Sequence, residues 1–435
     1  MRVLFVQASH LQHDGSVFRP KTTAYPGLAL PLLAALTPRD VEVGIVDDYR
    51  EDPLQNRPWD LVAISAMTPQ APRAYQIADA YRARGARVAI GGFHVTLYPE
   101  EATRHADAVV VGEGDEVWPN VVEDFRRGKL QPIYKSDQLV DLSKLPAPRY
   151  DLIKRYQYQM RVWPVQTTRG CPMGCDFCSV TKVFGRSYRQ RPVDNVVRDV
   201  RATGSRYIFF VDDNIAANRA YALELFRALE PLKLLWGCQC NLSVARDEEL
   251  LEVAYRAGCF SMYVGVESIN PESLKSVHKV CNRVEEYREL LGNMARAGIA
   301  PMVSMIMGLD GDGPDVFEKT YRFLMDLRIP LAYFFILTPA PGTALFDRLA
   351  EEGRLFQTDW SHYGGDEVVF QPAHMSPAEL ERGFWRLYQR FYSLPAIIRR
   401  LLCPPRTWGV RLLAQVRYNL THRRSLRKGV HPLRG

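Results

Sequence analysis

The sequence lacks any uninterrupted run of the ~18 apolar residues that a membrane-spanning helix requires. Its most apolar stretch, around Phe334, is broken by Pro330, Pro339 and Pro341. The opening MRVLFVQASH reads as a buried strand followed by polar residues, without the apolar core and cleavage site of a secretory signal, so a cytoplasmic protein is expected. Cysteine is sparse, and eight in 435 residues exclude a disulfide scaffold. Acidic residues are absent after Glu381, and from residue 399 onward Arg399, Arg400, Arg406, Arg411, Arg417, Arg423, Arg424, Arg427, Lys428 and Arg434 supply ten positive charges. Without those ten the net charge of +7 becomes −3, so the basic balance belongs to the carboxy-terminal end, and no nucleic-acid partner is expected. No internal repeat or low-complexity tract stands out. What is present, 47% hydrophobic and 24% charged residues, packs as an ordinary globular chain of two or three domains, at roughly 150 residues each.

Between residues 1 and 135, short apolar runs at 3–6, 41–46, 61–64, 88–90 and 108–111 alternate with amphipathic stretches such as 71–84 and 116–126. Buried strands separated by helices are the pattern of a parallel sheet covered on both faces, so a five-stranded, doubly wound, Rossmann-like α/β domain is expected. Ligands of such sheets sit at the carboxyl ends of the strands, which here carry Ser65, Met67 and Thr68, then Gly91, Gly92 and His94, then Gly112 and Glu113. Glycines there admit a ligand close to the backbone and are equally suited to plain turns. Residues 136–163 have no period and carry Pro146 and Pro148, as a linker does. A second α/β pattern fills 164–345, with strands expected near 165 and at 207–211, 234–239, 261–266, 301–307 and 331–337. Six βα units are fewer than the eight of a closed barrel, so a partial (β/α)6 TIM-like barrel is expected, with its working face where the strands end. Residues 346–435 read as a helical, basic extension in which Leu380, Phe384, Leu387 and Phe391 form an apolar stripe.

Three of the cysteines, Cys171, Cys175 and Cys178, lie in the stretch RGCPMGCDFC, directly after the first strand of the second unit. A structural zinc site needs a fourth Cys or His, yet the next cysteine is Cys238 and no histidine lies between His105 and His278. Three thiolates can anchor three irons of a four-iron cluster and leave the fourth iron open to a ligand. Cys238 and Cys240 share one face of a strand and, with Cys259, Cys281 and Cys403, read as structural.

A Cys-x3-Cys-x-aromatic-Cys loop opening a partial barrel resembles the radical S-adenosylmethionine enzymes, and the likeness runs through the barrel. The resemblance implies a 4Fe-4S cluster on Cys171, Cys175 and Cys178, whose open iron is chelated by S-adenosylmethionine; one electron then releases a 5′-deoxyadenosyl radical that abstracts hydrogen. It implies that Phe177 borders the adenine and that Asp212, Asp213 and Asn214 hold the methionine amino group, a role that competes with helix capping for these residue types. It also implies that Glu267 and Ser268 meet the ribose and the carboxylate end, with Lys279 beside them, and that Gly308 lies near the adenine. Residues 338–343 complete the pattern.

The preceding doubly wound domain resembles the cobalamin-binding module of one large class of these enzymes, the class B methyltransferases. That likeness implies cobalamin against Ser65, Met67, Thr68, Gly91, Gly92, His94, Gly112 and Glu113, with the corrin between the two domains. The Asp-x-His-x-x-Gly motif that brings a histidine to cobalt in relatives of methionine synthase does not occur. His13, Asp14 and Gly15 depart from it, as do Asp47, Asp48 and Tyr49, so cobalt without a protein histidine is expected. His94 also reads as a capping or surface residue. The function expected is cobalamin-dependent methylation of an unactivated carbon in a small-molecule or lipid-like substrate, with an electron donor such as flavodoxin or ferredoxin. Two rivals stand beside it: radical oxidation, cyclisation or rearrangement without methyl transfer, and an inactive cofactor-sensing protein. The basic extension, with Leu401, Leu402, Trp408, Leu412 and Leu413 among its arginines, suits peripheral contact with an anionic membrane and equally a solvated helical face.

Overall fold

The structure, a computed structural model, describes residues 1–435 except 13, 21–25, 55–56, 137, 157, 159–161, 403–408 and 433–435, and only the backbone at 409–411. His13, Cys403, Arg406, Trp408 and Arg434 therefore lie outside the described residues, as does the side chain of Arg411.

Six strands, β1 (Arg2–Gln7), β2 (Glu42–Asp47), β3 (Leu61–Ser65), β4 (Arg87–Gly91), β5 (Ala108–Val111) and β6 (Ile133–Lys135), form a parallel sheet in the order β2-β1-β3-β4-β5-β6. Their Val- and Ile-rich runs are buried from both sides. Helix Ala71–Ala83 covers one face with Ala74, Ile77, Ala78 and Tyr81. Helices Ala29–Leu36 and Gly114–Arg126 cover the other with Leu30, Ala34, Val117, Trp118 and Val121. Five strands were expected; the sixth, β6, pairs with β5 in the register Val109↔Ile133 and is too short, with Tyr134 alone buried, to show a period. Strand order reverses at β1, which has β2 on one side and β3 on the other, and such a switch point leaves a crevice at the carboxyl edge. The segment expected as a linker packs on this unit: Leu142, Leu145, Tyr150 and Ile153 are buried there. The Tyr150 hydroxyl donates to the Pro164 carbonyl at 2.7 Å, fixing where the second unit begins.

In that second unit, β7 (Trp163–Val165) is followed by a short antiparallel ribbon of β8 (Thr168–Arg169) and β9 (Arg189–Gln190). Then come β10 (Tyr207–Phe210), β11 (Leu235–Cys240), β12 (Cys259–Glu267), β13 (Ala300–Met307) and β14 (Leu331–Ile336). The parallel sheet runs β7-β10-β11-β12-β13-β14, each strand beside its successor, and β7 does not close on β14, so the barrel is partial as expected. Helix Pro377–Phe391 carries the expected stripe, burying Leu380, Phe384, Leu387 and Phe391, and lays Tyr388 on Phe334 with ring centroids 4.9 Å apart. The extension is part of the body. Arg400, 1% exposed, donates to the carbonyls of Ile329, Pro330 and Phe391, so this arginine is a clamp and not surface charge. Among the described residues no helix is long and apolar enough to cross a membrane.

Candidate functional site

The cysteine loop is held from behind by the residues that end β10. Asp212 accepts hydrogen bonds from the backbone N–H groups of Thr167, at 2.7 Å, and Thr168, and from both threonine hydroxyls. Asp213 accepts from the Gly170 N–H at 3.0 Å. Gly170 has φ +91°, and a Cβ there would stand 2.4 Å from the Ser187 carbonyl oxygen, so the turn into Cys171 requires glycine. Burial pushes the Asp212 carboxyl up to about 7, against the pull of its four hydrogen bonds. Asn214 accepts from the Asn241 N–H at 3.2 Å. Asp212 and Asp213 thus hold the loop backbone, and Asn214 ties the end of β10 to the segment after β11.

Cys171, Cys175 and Cys178 are free thiols on one tight loop, where the Cys178 N–H donates to the Cys175 carbonyl. Burial pushes the Cys175 thiol up to about 12, opposed by the Lys279 charge, and burial raises Cys171 and Cys178 as well. Among the described residues no three His, Cys, Asp or Glu side chains already stand at metal-binding distance. The donor set itself fits an iron–sulfur cluster: soft thiols on one loop, with iron able to take the place of protons that burial holds on them.

Opposite the loop, β12 ends in a register shift, pairing Gly265 with Ser304 and then Glu267 with Met305. Glu267 sits at φ +64°, a left-handed conformation that costs a non-glycine residue and persists where the surroundings over-determine it. Its carboxylate accepts from Lys279 at 3.1 Å, and the ammonium lies 5.9 Å from the centre of the Phe177 ring. Burial pushes the Lys279 ammonium down, but the charge of Glu267 outweighs it and holds it above its ordinary value. Gly265 is what lets Glu267 fold back, since a Cβ there would meet the carboxylate at 2.1 Å. Ser268 accepts from the Asn270 N–H at 3.0 Å. Gly308, φ +92°, lies under Leu380 and donates to Asp312 at 3.0 Å, so it shapes the end of β13 from the helix side.

The carboxyl edges of the two sheets enclose two cavities. One, of about 330 Å³, takes Met67, Thr68, Phe93 and Leu97 from the first unit, and Phe177, Glu267, Ser304, Ile306, Phe335 and Tyr363 from the second. The other, of about 340 Å³, lies along the first sheet and is bordered by Gln7, Ser65, Met67, Gly91, Gly92, Gly112 and Glu113, with Gln166, Arg169 and Phe184 opposite. Met67 and Phe93 line both. Of the expected cobalamin residues, six border the second cavity, Thr68 borders the first, and His94 borders neither. His94 is fully buried among Tyr75, Tyr98 and Trp360, with Nε2 3.5 Å from the Glu101 carboxylate, and burial lowers its pKa. The second cavity fits cobalamin bound without a protein imidazole: it lies at the strand ends beside the switch point, its walls are mainly apolar, and no described histidine lines it.

Three residues here carried no role in the sequence reading. Arg169 donates to Glu113 at 2.8 Å and to Asp115 at 2.6 Å, and Arg189 donates to both Glu113 oxygens. Burial pushes the Glu113 carboxyl up, but the Arg189 hydrogen bonds and the Arg169 charge hold it below its ordinary value. Arg169 stands beside the cysteine motif, yet its partners lie 54 and 56 residues away across the unit boundary, beyond any local pattern.

Comparison with known proteins agrees with this geometry. The family model of the Radical SAM superfamily matches residues 165–324, that of the B12 binding domain matches residues 25–122, and a domain of unknown function matches residues 343–419. Bacteriochlorophyllide d C-12(1)-methyltransferase of Chlorobaculum tepidum is 32% identical over 416 residues, 92% of this chain and 89% of that protein. Hopanoid C-2 methylase of Rhodopseudomonas palustris is 29% identical over 364 residues, 80% of this chain and 68% of that protein. The radical S-adenosylmethionine methyltransferase TsrM from Kitasatospora setae, solved with cobalamin and a [4Fe-4S] cluster, shares the fold with a TM-score of 0.63 at 20% identity, covering 88% of this chain and 85% of that one. The chain belongs to the radical S-adenosylmethionine methyltransferases that carry a B12-binding domain, with a 4Fe-4S cluster, S-adenosylmethionine and cobalamin as its cofactors.

Proposed function

We propose that the enzyme methylates an unactivated carbon of an amphiphilic ring or lipid-like small molecule held in the cavity that both units wall. Cys171, Cys175 and Cys178 hold the cluster; Phe177, Glu267 and Lys279 contact S-adenosylmethionine; Ser65, Met67, Gly91, Gly92 and Gly112 border cobalamin. Asp212, Asp213, Asn214, Ser268 and Gly308 keep these groups in place. When bound, the cluster supplies the electron that cleaves S-adenosylmethionine and cobalamin supplies the methyl group. The chain supplies placement and dryness. Glu267 and Lys279 present one charge of each sign, matching the zwitterionic methionine end. Met67, Phe93, Leu97, Ile306 and Phe335 keep water from the reacting carbon.

The observation that carries this reading is the lining of that cavity. Among its described residues Glu267 is the one charged side chain, so the reacting part of the substrate is apolar and uncharged. The bacteriochlorophyllide and hopanoid named for the two relatives are in keeping with that. A one-electron donor of the flavodoxin or ferredoxin kind completes the cycle, and the exposed apolar and basic residues of the carboxy-terminal helices support contact with a membrane surface. The test is anaerobic turnover of the reconstituted enzyme with apolar ring acceptors and S-adenosylmethionine labelled in its methyl group. A product carrying the label is expected; a product that has lost hydrogen without gaining label overturns methyl transfer in favour of oxidation or cyclisation. Cys175→Ala is expected to abolish cleavage of S-adenosylmethionine, and unchanged cleavage overturns the cluster assignment.

A further inference from the structure

We infer that Arg169, Glu113 and Asp115 form a strut that couples occupancy of the crevice on the first sheet to the cysteine loop, resting on the reading of that crevice as the cobalamin site. Arg169 directly precedes Gly170 and Cys171. Its guanidinium crosses to the first unit and donates to Glu113 at 2.8 Å and Asp115 at 2.6 Å, on the segment that follows β5. Glu113 also accepts from Arg189, the residue paired with Arg169 in the β8–β9 ribbon, and from the Val140 N–H at 2.8 Å. Both carboxylates and the Arg169 guanidinium are at most 9% exposed, so water cannot take over when a partner moves away. The oxygens of Glu113 are engaged by these partners, which assigns its carboxylate to the strut instead of to direct cofactor contact.

Both ends of the strut are stiff. On the first unit, the Gly112 N–H donates to the Thr96 hydroxyl at 3.0 Å. On the second, Asp213 holds Gly170, and Asp212 holds Thr167 and Thr168. Gly112, Glu113 and Asp115 also wall the crevice, so a ligand that fixes this segment fixes Arg169 and, one residue beyond Gly170, Cys171. Linkage is reciprocal: a loop set by its cluster tightens the crevice for cobalamin by the same factor.

The experiment measures the dissociation constant of hydroxocobalamin by absorbance titration of the full chain, once with the cluster reconstituted and once after its removal by chelator. The wild-type protein is expected to bind at least about fivefold more tightly with the cluster, the lower end of usual coupling. Arg169→Met, whatever it does to the affinity in each state, is expected to bring that ratio close to one, and Arg169→Lys, which keeps the charge but loses the fork, to give an intermediate ratio. Asp115→Asn, which leaves Glu113 paired, carries the decision where Arg169→Met does not fold. A merely structural contact would lower thermal stability and weaken hydroxocobalamin equally in both states, with the ratio unchanged. A wild-type ratio of one, or an unchanged ratio in the folded variants, overturns the strut. Failure of the wild-type protein to bind hydroxocobalamin in either state overturns the crevice assignment, and the strut with it.

Discussion

At the residue scale, the site turns on one strained glutamate. Glu267 is bent into the left-handed region by the irregular end of β12, and this sets its carboxylate on Lys279. Glu267→Gln leaves the buried ammonium without its counter-charge and is expected to weaken S-adenosylmethionine binding by roughly ten- to a hundredfold, the scale of a lost hydrogen bond to a charged group at about 1.5–3 kcal/mol. Gly265→Ala should weaken it similarly although no charge changes, because the new Cβ meets the carboxylate at 2.1 Å. Equilibrium dialysis with labelled S-adenosylmethionine checks both; normal binding by Gly265→Ala would show that the position of Glu267 is immaterial. Glu267 and Lys279 were legible in the sequence only through the family resemblance, in which Gly265, Glu267 and Ser268 follow the fourth barrel strand and Lys279 comes eleven residues after Ser268. The reason for Gly265 was not, since it depends on a side chain folding back over its own strand. Asp212 was legible as a polar residue at a strand end, yet its role lies in Thr167 and Thr168, 45 and 44 residues away.

At the element scale, the turn after β13 depends on a buried carboxyl group that no sequence pattern marks. Asp312 accepts from the Gly308 and Leu309 N–H groups at 3.0 and 3.1 Å and from the Ser273 hydroxyl at 2.5 Å, and it is 1% exposed. Burial raises its pKa from the ordinary 3.8 to about 6, against these hydrogen bonds. A carboxyl whose folded pKa lies above its unfolded value favours folding when protonated. Its contribution is therefore full below the unfolded pKa and is lost as the pH rises through about 6. Asp312→Asn cannot ionise and is expected to flatten the fall of stability between about pH 4 and 6, read from urea midpoints across that range. An unaltered slope would mean that Asp312 does not titrate there. Long elements were the legible ones: the stripe of helix Pro377–Phe391 repeats over four turns, whereas β6 spans three residues and carries no period. A single carboxyl folding a turn carries none either.

At the scale of the whole molecule, the working face lies between the two sheets, and the positive charge lies elsewhere. Helices Leu394–Leu401 and Gly409–Leu426 pack together through Ile397, Leu401, Leu412 and Val416. Beyond that seam Leu394, Ile398, Leu402, Leu413 and Leu420 are exposed, Leu413 at 70%. Arg399, Arg417, Arg424, Arg427 and Lys428 are exposed on the same two helices and the turn that follows. Apolar side chains within a basic fringe suit the interface of an anionic bilayer, where each basic residue contributes about 1 kcal/mol and the apolar ones insert. Deleting the extension would not isolate this surface, because Arg400 and Asn419 are hydrogen-bonded beneath the barrel and His431 bonds the Phe334 carbonyl. Point substitutions on the exposed side leave that packing alone. The intact protein is expected to sediment with phosphatidylglycerol vesicles and not with phosphatidylcholine vesicles, and to be released as salt shortens the Debye length. Arg424→Gln with Arg427→Gln should weaken sedimentation roughly 30-fold, from about 1 kcal/mol for each charge. Leu413→Glu should abolish it at unchanged thermal stability. No sedimentation with either overturns membrane contact and leaves these helices as a solvated face at the edge of the barrel, whereas equal sedimentation with neutral vesicles overturns the part assigned to the basic residues.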